Sequence, residues 1–243
     1  MIDPNAAYTE EIYNLTLLDI EKHLLAAGRT LQEFGLPEAH QVDNPGVVNR
    51  EVLAERSHNM DELQQLIETR LPGLTEDQRV AHDTVMSVLY GGQDNSNGNL
   101  LFLDAPGGTG KTWLLNLLLA EVRFRGDIAL AVASSGIAAC LLDGGRTAHS
   151  RFKLPLSLAK MDSPTCNIDK NSDLAALIRQ TKVIVWDECT MMNRKGYEAL
   201  DRTLRDVCSK DVLFGGITVL LAGDFRQTLP VIQKGTPADE IKV

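Results

Sequence analysis

The chain has 243 residues, 44% hydrophobic and 23% charged, a globular balance that excludes wholesale disorder. A formal net charge of −9 argues against a broadly basic nucleic-acid coat, though not against a local basic groove. No apolar run approaches the ~20 residues of a membrane helix, and the opening MIDPNAAYTEE lacks the basic and apolar regions of a secretory signal.

Residues 1–72 read as a helical N-terminal extension. Ile12, Leu15, Leu18, Leu24 and Leu25 form a roughly helical apolar stripe with charges between. Packing explains that stripe better than a role as an interaction element. FGLPEAHQVDNPG, Phe34 to Gly46, reads as a turn-rich break with Pro37 and Pro45 as stops. A second helical stretch ends near Arg70, with Leu63, Leu66, Ile67 and Leu71 on one side, and Pro72-Gly73 punctuates it.

From residue 73 onward strands and helices alternate. In GLTEDQRVAHDTV, Gly73 to Val85, Thr75 and Gln78 have the spacing of a helix capping box. The alternative for Gln78 is an amide that reads an adenine edge, donating and accepting at once. Leu100–Asp104, Ile128–Ala133, Val183–Asp187 and Ile217–Ala222 are short apolar runs that suit strands buried on both faces of a parallel sheet. Helices are expected over Lys111–Arg125, Leu174–Gln180 and Tyr197–Cys208, an α/β pattern with right-handed crossovers. The loop Gln93–Asn99 and much of Ser157–Ser172 read as polar and mobile.

The segment LLFLDAPGGTGKT, Leu100 to Thr112, carries the plainest chemistry. A strand, a glycine-rich turn and a helical run form a P-loop over Pro106-Gly107-Gly108-Thr109-Gly110, in which the backbone N–H groups from Gly107 onward close on phosphate oxygens. (Proline itself contributes only its fixed backbone angle.) Lys111 would reach the β- and γ-phosphates, and the Thr112 hydroxyl would hold Mg²⁺. The usual first glycine is Ala105 here.

Four further segments follow. In AVASSGIAACLLDGGRTAHSRFKLP, Ala131 to Pro155, hydroxyls and cations suit phosphate oxygens and Phe152 could stack on a base; the alternative is a solvated loop with Phe152 tucked into the core. VIVWDECTMM, Val183 to Met192, places Asp187 and Glu188 just past a strand, Asp187 for Mg²⁺ and Glu188 to orient and deprotonate a water. In VLLAGDFRQTLPVI, Val219 to Ile232, the Gln227 amide can bond the γ-phosphate or the attacking water. Asp224 and Arg226 are either a local ion pair or directly functional. Cys140, Cys166, Cys189 and Cys208 form no CxxC and read as reduced thiols rather than a zinc site.

Taken in order, TEDQ, APGGTGKT, ASSGIAA…GGRTAHS, VIVWDE and GDFRQTLPV resemble helicase motifs Q, I, Ia, II and III of the Pif-one family, the RecD-like 5′-to-3′ branch of superfamily one. FGLP, GGRTAHSRFKLP, ALDRTLRD and GDFRQTLPVI resemble most the branch found in Helitron transposons. The resemblance implies a RecA-like P-loop domain over residues 73–243, using ATP and Mg²⁺ to drive 5′-to-3′ unwinding. It makes Gln78 the adenine reader and Gln227 the link between hydrolysis and DNA. It places Ser134, Thr147 and His149 on single-stranded DNA, with Arg151 and Phe152 as further DNA contacts.

The resemblance also implies a second RecA-like domain supplying an arginine worth about 10³ to 10⁵ in rate. The chain is accordingly expected to be an N-terminal extension plus the first motor domain, binding Mg·ATP but hydrolysing it poorly alone. Expected partners are single-stranded DNA, DNA junctions and that second domain, with no membrane and a monomeric state. The expected setting is genome maintenance (repair, recombination, telomeres) or transposition, in the nucleus or a mitochondrion. Two other readings are a nucleotide-gated DNA- or partner-binding module without turnover, and another P-loop class. No LSGGQ-type signature supports the latter, and intact Lys111, Asp187 and Glu188 count against the former.

Overall fold

The structure, a computed structural model, describes residues 17, 20, 30–37, 49–92, 99–158 and 161–227. The chain divides into two compact units, Met1–Val47 and Val48–Val243. In the first, Leu17 is helical and buried, and a 3-10 turn over Gln32–Phe34 is closed by Gly35 at φ 68°. That turn overlaps only the start of the expected break, whose residues 38–46 lie outside the described residues. The N-terminal apolar stripe and the loop 93–98 lie outside the described residues.

The second unit opens with α1 (Arg50–Arg56) and α2 (Met60–Arg70), where one helical stretch was expected. The first ends at Ser57, whose N–H donates to the Leu53 carbonyl, and Asn59 caps the second, its side chain accepting the N–H groups of Asp61 and Glu62. Residues 49–72 therefore pack with the sheet unit, although the expected domain boundary was 72/73. After a 3-10 turn over Leu71–Gly73 comes α3 (Glu76–Tyr90), which begins in a complete capping box between Thr75 and Gln78.

Five parallel strands follow: β1 (Leu100–Asp104), β2 (Ile128–Ala133), β3 (Arg146–Thr147), β4 (Thr181–Asp187) and β5 (Thr218–Gly223). Their order is β1-β5-β4-β2-β3. The connecting helices are α4 (Lys111–Phe124), α5 (Gly136–Leu141), α6 (Ala148–Phe152), α7 (Asp173–Gln180) and α8 (Arg194–Cys208). The period-2 alternation of β2 sorts the core. Ile128, Leu130 and Val132 join Leu177, Ile178, Leu200 and Leu204 on one face. Ala129, Ala131 and Ala133 meet Leu115, Leu118 and Leu119 of α4 on the other. Those alanines leave room for α4 to lie close to the sheet.

The expectation of strands buried on both faces holds for β2 but not for β1. Leu100 and Phe102 are 47% and 46% exposed. The reason is position: β1 is an edge strand of the sheet among the described residues, and only its Leu101–Leu103 side packs against core. The expectation of a mobile 157–172 loop is also corrected. Leu158 and Cys166 are buried, the Cys166 N–H donates to Thr203 Oγ1 at 2.8 Å, and Lys195 Nζ donates to the Met161 carbonyl at 2.8 Å. Backbone without regular structure is pinned here by side chains of α8.

A buried ion pair ties α3 to α4. His82 Nε2 lies 2.6 Å from Glu121 Oε1, and its Nδ1 lies 2.8 Å from Asp83 Oδ1. The bond to Glu121 outweighs burial, which acts oppositely, and with Asp83 it raises the imidazole above its ordinary 6.5. Since the folded value exceeds the unfolded one, the stabilisation is full below pH 6.5 and is lost as pH rises through the raised value. Glu121→Gln is expected to cost about 1.5–3 kcal/mol at pH 6. It should also flatten the loss of stability that the unaltered chain shows toward pH 8.5. Urea titrations at both pH values check this, and an identical pH profile in the variant rejects the clamp.

Candidate active site

The P-loop hangs from the end of β1. The Ala105 N–H donates to the Gly223 carbonyl at 3.1 Å, tying the loop to β5. Gly108 and Gly110 adopt φ of 81° and 80°, a region that residues with a Cβ rarely enter. A Cβ on Gly110 would also fall 2.7 Å from Gln78 Nε2. No side chain caps the N-terminus of α4, so its first amides remain free for an anion. Thr109 Oγ1 closes the loop on the Pro106 carbonyl at 2.7 Å.

Lys111 is held between two acids. Its Nζ donates to Asp187 Oδ1 at 2.6 Å and to Glu188 Oε1 at 2.7 Å. Burial alone would lower this ammonium's pKa, but the bonds from the two carboxylates outweigh it and the net shift is upward. Thr112 Oγ1 lies 3.4 Å from Asp187 Oδ2. One hydroxyl and one carboxylate side by side form the small set of hard oxygen donors that Mg²⁺ takes from protein, its other positions being left to water and phosphate. Glu188 has φ 50°, a left-handed conformation that turns the chain sharply off the end of β4.

Gln78 serves as a cap and as a strut for the loop. Its Oε1 accepts the Thr75 N–H at 3.1 Å while Nε2 donates to the Thr109 carbonyl at 2.8 Å. It lines a cavity of about 560 Å³ with Thr75, Asp77, Leu103, Pro106 and Lys111. Gln227 Nε2 lies 3.4 Å from where a Gly107 Cβ would stand, and donates to Asp224 Oδ2 at 3.0 Å.

Sequence reasoning left Asp224 open between an ion pair and a function. It is 3% exposed, and its carboxyl is held below the usual range by the Arg226 N–H first and the Gln227 amide next. The Arg226 guanidinium and the Gly107 N–H add to these. Asp224 thus joins the P-loop to the third motif, a role that only the fold makes visible.

The expected DNA contacts separate into two groups. Ser134, Thr147 and His149 are half-buried near the ends of β2 and β3. Ser134 Oγ accepts Trp186 Nε1–H at 2.9 Å, and Thr147 caps α6 by accepting the Ser150 N–H at 3.2 Å. Burial lowers the pKa of His149, favouring a neutral imidazole. Arg151 and Phe152 are corrected: both face inward. The Arg151 side chain is 1% exposed and bonds Glu55 and Glu51 of α1. Phe152 is fully buried, its ring 6.2 Å from that of Trp186. In α6, whose Ala148 is also buried, these two residues face the core. The missed partners, Glu51 and Glu55, lie about 100 residues upstream on α1, with no local cue in sequence to link them to Arg151.

All four cysteines are free. Burial pushes Cys189 up to about 12 and Cys166 up to about 11, so both are thiols at neutral pH.

Arg151→Ala is expected to leave Glu55 buried without its cation, destabilising the fold by about 3–5 kcal/mol. A Glu55→Gln/Arg151→Met pair should cost less than Arg151→Ala alone. Urea denaturation compares them, and a fully stable Arg151→Ala variant refutes the assignment.

Comparison with known proteins agrees with this geometry. The model of the PIF1-like helicase family matches residues 73–243. ATP-dependent DNA helicase PIF1 of Candida albicans is 32% identical over 152 residues, 60% of this chain and 17% of that protein. ATP-dependent DNA helicase RRM3 of Saccharomyces cerevisiae is 32% identical over 136 residues, 55% of this chain and 19% of that one. Unliganded Pif1 from Bacteroides sp matches with a TM-score of 0.53 at 28% identity, over 70% of this chain and 35% of that structure. Bacteroides Pif1 in complex with ADP-AlF3 and ssDNA gives the same score and identity, over 70% and 36%. The chain thus spans about a fifth of these curated relatives and about a third of the solved chains. The parallel sheet is that of a RecA-like helicase domain, and the chain belongs to the PIF1-like helicase family.

Proposed function

We propose that this chain is the ATP-binding first motor domain of an ATP-dependent 5′-to-3′ DNA helicase, coupling hydrolysis to movement along single-stranded DNA. The observation that carries this reading is Lys111 held by Asp187 and Glu188 beneath the glycine loop, with Gln227 beside Gly107. The loop amides and the N-terminus of α4 would receive the phosphates. Lys111 would exchange its two carboxylates for β- and γ-phosphate oxygens, releasing Glu188. Thr112 and Asp187 would hold Mg²⁺, which when bound neutralises phosphate charge.

Glu188 then takes a proton from a water whose oxygen bonds to the γ-phosphorus. The bond from that phosphorus to the bridging oxygen breaks, and ADP leaves with the electron pair. Gln227 would orient this water or the γ-phosphate. Gln78 would read the adenine with the hydrogen-bonding capacity left free by Thr75 and Thr109. Ser134, Thr147 and a neutral His149 would contact the strand. The ADP-AlF3 and ssDNA complex of Bacteroides Pif1 supports both ligand classes.

The proposed partners are single-stranded DNA, DNA junctions and a second RecA-like domain that completes the ATP site with an arginine. The proposed setting is genome maintenance or transposition, in the nucleus or a mitochondrion.

Turnover by residues 1–243, with and without oligo(dT), tests the reading. Nucleotide binding with slow turnover is expected, since a completing arginine contributes about 10³ to 10⁵. Glu188→Gln should lower the remaining rate by about 10² or more while keeping nucleotide affinity. Unchanged turnover in Glu188→Gln rejects its role as base. Fast DNA-stimulated turnover by residues 1–243 rejects the need for a second domain.

A further inference from the structure

Arg146 opens β3 directly after Gly144-Gly145. A Cβ on Gly145 would fall 2.2 Å from the Ala139 carbonyl oxygen, so only glycine allows the tight turn from α5 into β3. The register sets Arg146 beside Val132 and Thr147 beside Ala133, whose other neighbour is Asp187. Arg146 thus stands next to Thr147, at the sheet end that carries the acids of the ATP site. Its side chain is 49% exposed, and among the described residues its carboxylate partner is Glu51 of α1 at 3.8 Å.

Glu51 is no loose surface acid. It also lies 3.5 Å from Arg151, a guanidinium that solvent barely reaches. α1 itself is fixed: Asn49 Nδ2 donates to the Asp173 carbonyl at 2.6 Å, Arg56 Nη2 donates to Gln180 Oε1 at 3.3 Å, and Val52 packs on the core. A carboxylate anchored from behind by a buried cation is therefore presented to an exposed one. Guanidinium binds phosphate and carboxylate by the same fork of donors. The exposed pair is weak enough for a phosphate to replace Glu51.

We propose that Arg146 is a further contact for the phosphates of single-stranded DNA and that Glu51 is its resident competitor. The helix α1, which precedes the residues matched by the family model, would then set how tightly the motor grips its strand. This rests on the single-stranded-DNA reading above. It also assigns separate tasks to the arginines of GGRTAHSRF, Arg146 to DNA and Arg151 to the fold.

The test is fluorescence anisotropy of labelled oligo(dT) across several salt concentrations, with thermal melting of every variant. Glu51→Gln is expected to tighten binding about two- to five-fold. Arg146→Ala should weaken it and reduce the slope of log affinity against log salt by about 0.7. Arg146→Lys should keep that slope, and Glu51→Gln should have no effect in the Arg146→Ala background. An Arg146→Ala variant that keeps affinity and slope, while the unaltered chain binds, overturns the proposal alone. So does Glu51→Gln tightening equally without Arg146. Failure of the unaltered chain to bind oligo(dT) rejects the single-stranded-DNA reading and this proposal with it.

Discussion

The site depends on one ammonium group. Lys111, from the start of α4, reaches past the P-loop to the end of β4 and lies between Asp187 and Glu188. Two acids adjacent in sequence, one of them 1% exposed, would repel each other without it. The order β1-β5-β4 makes the contact possible, because it brings the P-loop strand and the acidic strand to either side of β5. Gly223 at the end of β5 allows the close approach: a Cβ there would come within 3.0 Å of Thr190 and Cys189. The lysine bridge also implies a coupling. On the proposed function, an incoming triphosphate takes the lysine from the acids, and the same exchange frees the carboxylate proposed to act on the water.

The third motif sits between these parts. Asp224 accepts from Arg226 and Gln227, while the Thr190 hydroxyl donates to its carbonyl oxygen at 3.4 Å. The turn after β4 and the end of β5 are thereby linked by hydrogen bonds through one buried residue, on whose carboxyl the Gly107 N–H of the P-loop also acts. Such networks are stiff when every member is satisfied. A change at the γ-phosphate end thus has a short physical route to Gln227.

Much of this was legible in sequence because the signals are local. The P-loop, the acidic pair past β4 and the capping box at Thr75 are short patterns whose geometry follows from spacing. Four of the five described strands were found to within two residues, since buried parallel strands read as apolar runs, while the two-residue β3 carries no such run and was not read. What could not be read was pairing at long range. Arg151 looks like a surface group in a polar stretch and Phe152 is open between a base and the core, and only the packing of α1 and β4 against α6 places both inside. The fate of β1 likewise depends on its place at the sheet edge, which no property of LLFLD reveals. Gln78 shows why its competing roles need not exclude each other. An amide has more hydrogen-bonding positions than a cap uses, so one side chain closes a helix and touches the P-loop.

The two tryptophans of the chain stand at revealing places. Trp113 follows Thr112 and lies under the Arg70 guanidinium at 5.6 Å. Trp186 precedes Asp187, donates to Ser134, and has the ring of Tyr197 at 4.8 Å. Each indole is covalently adjacent to one of the two oxygen donors suited to the cation, and the second is hydrogen-bonded to Ser134, a proposed DNA contact. The molecule therefore carries its own optical probes, one beside the glycine loop and one between the acidic pair and Ser134. With the other indole replaced by Phe, the emission of each reports on its own end of the site without any added label.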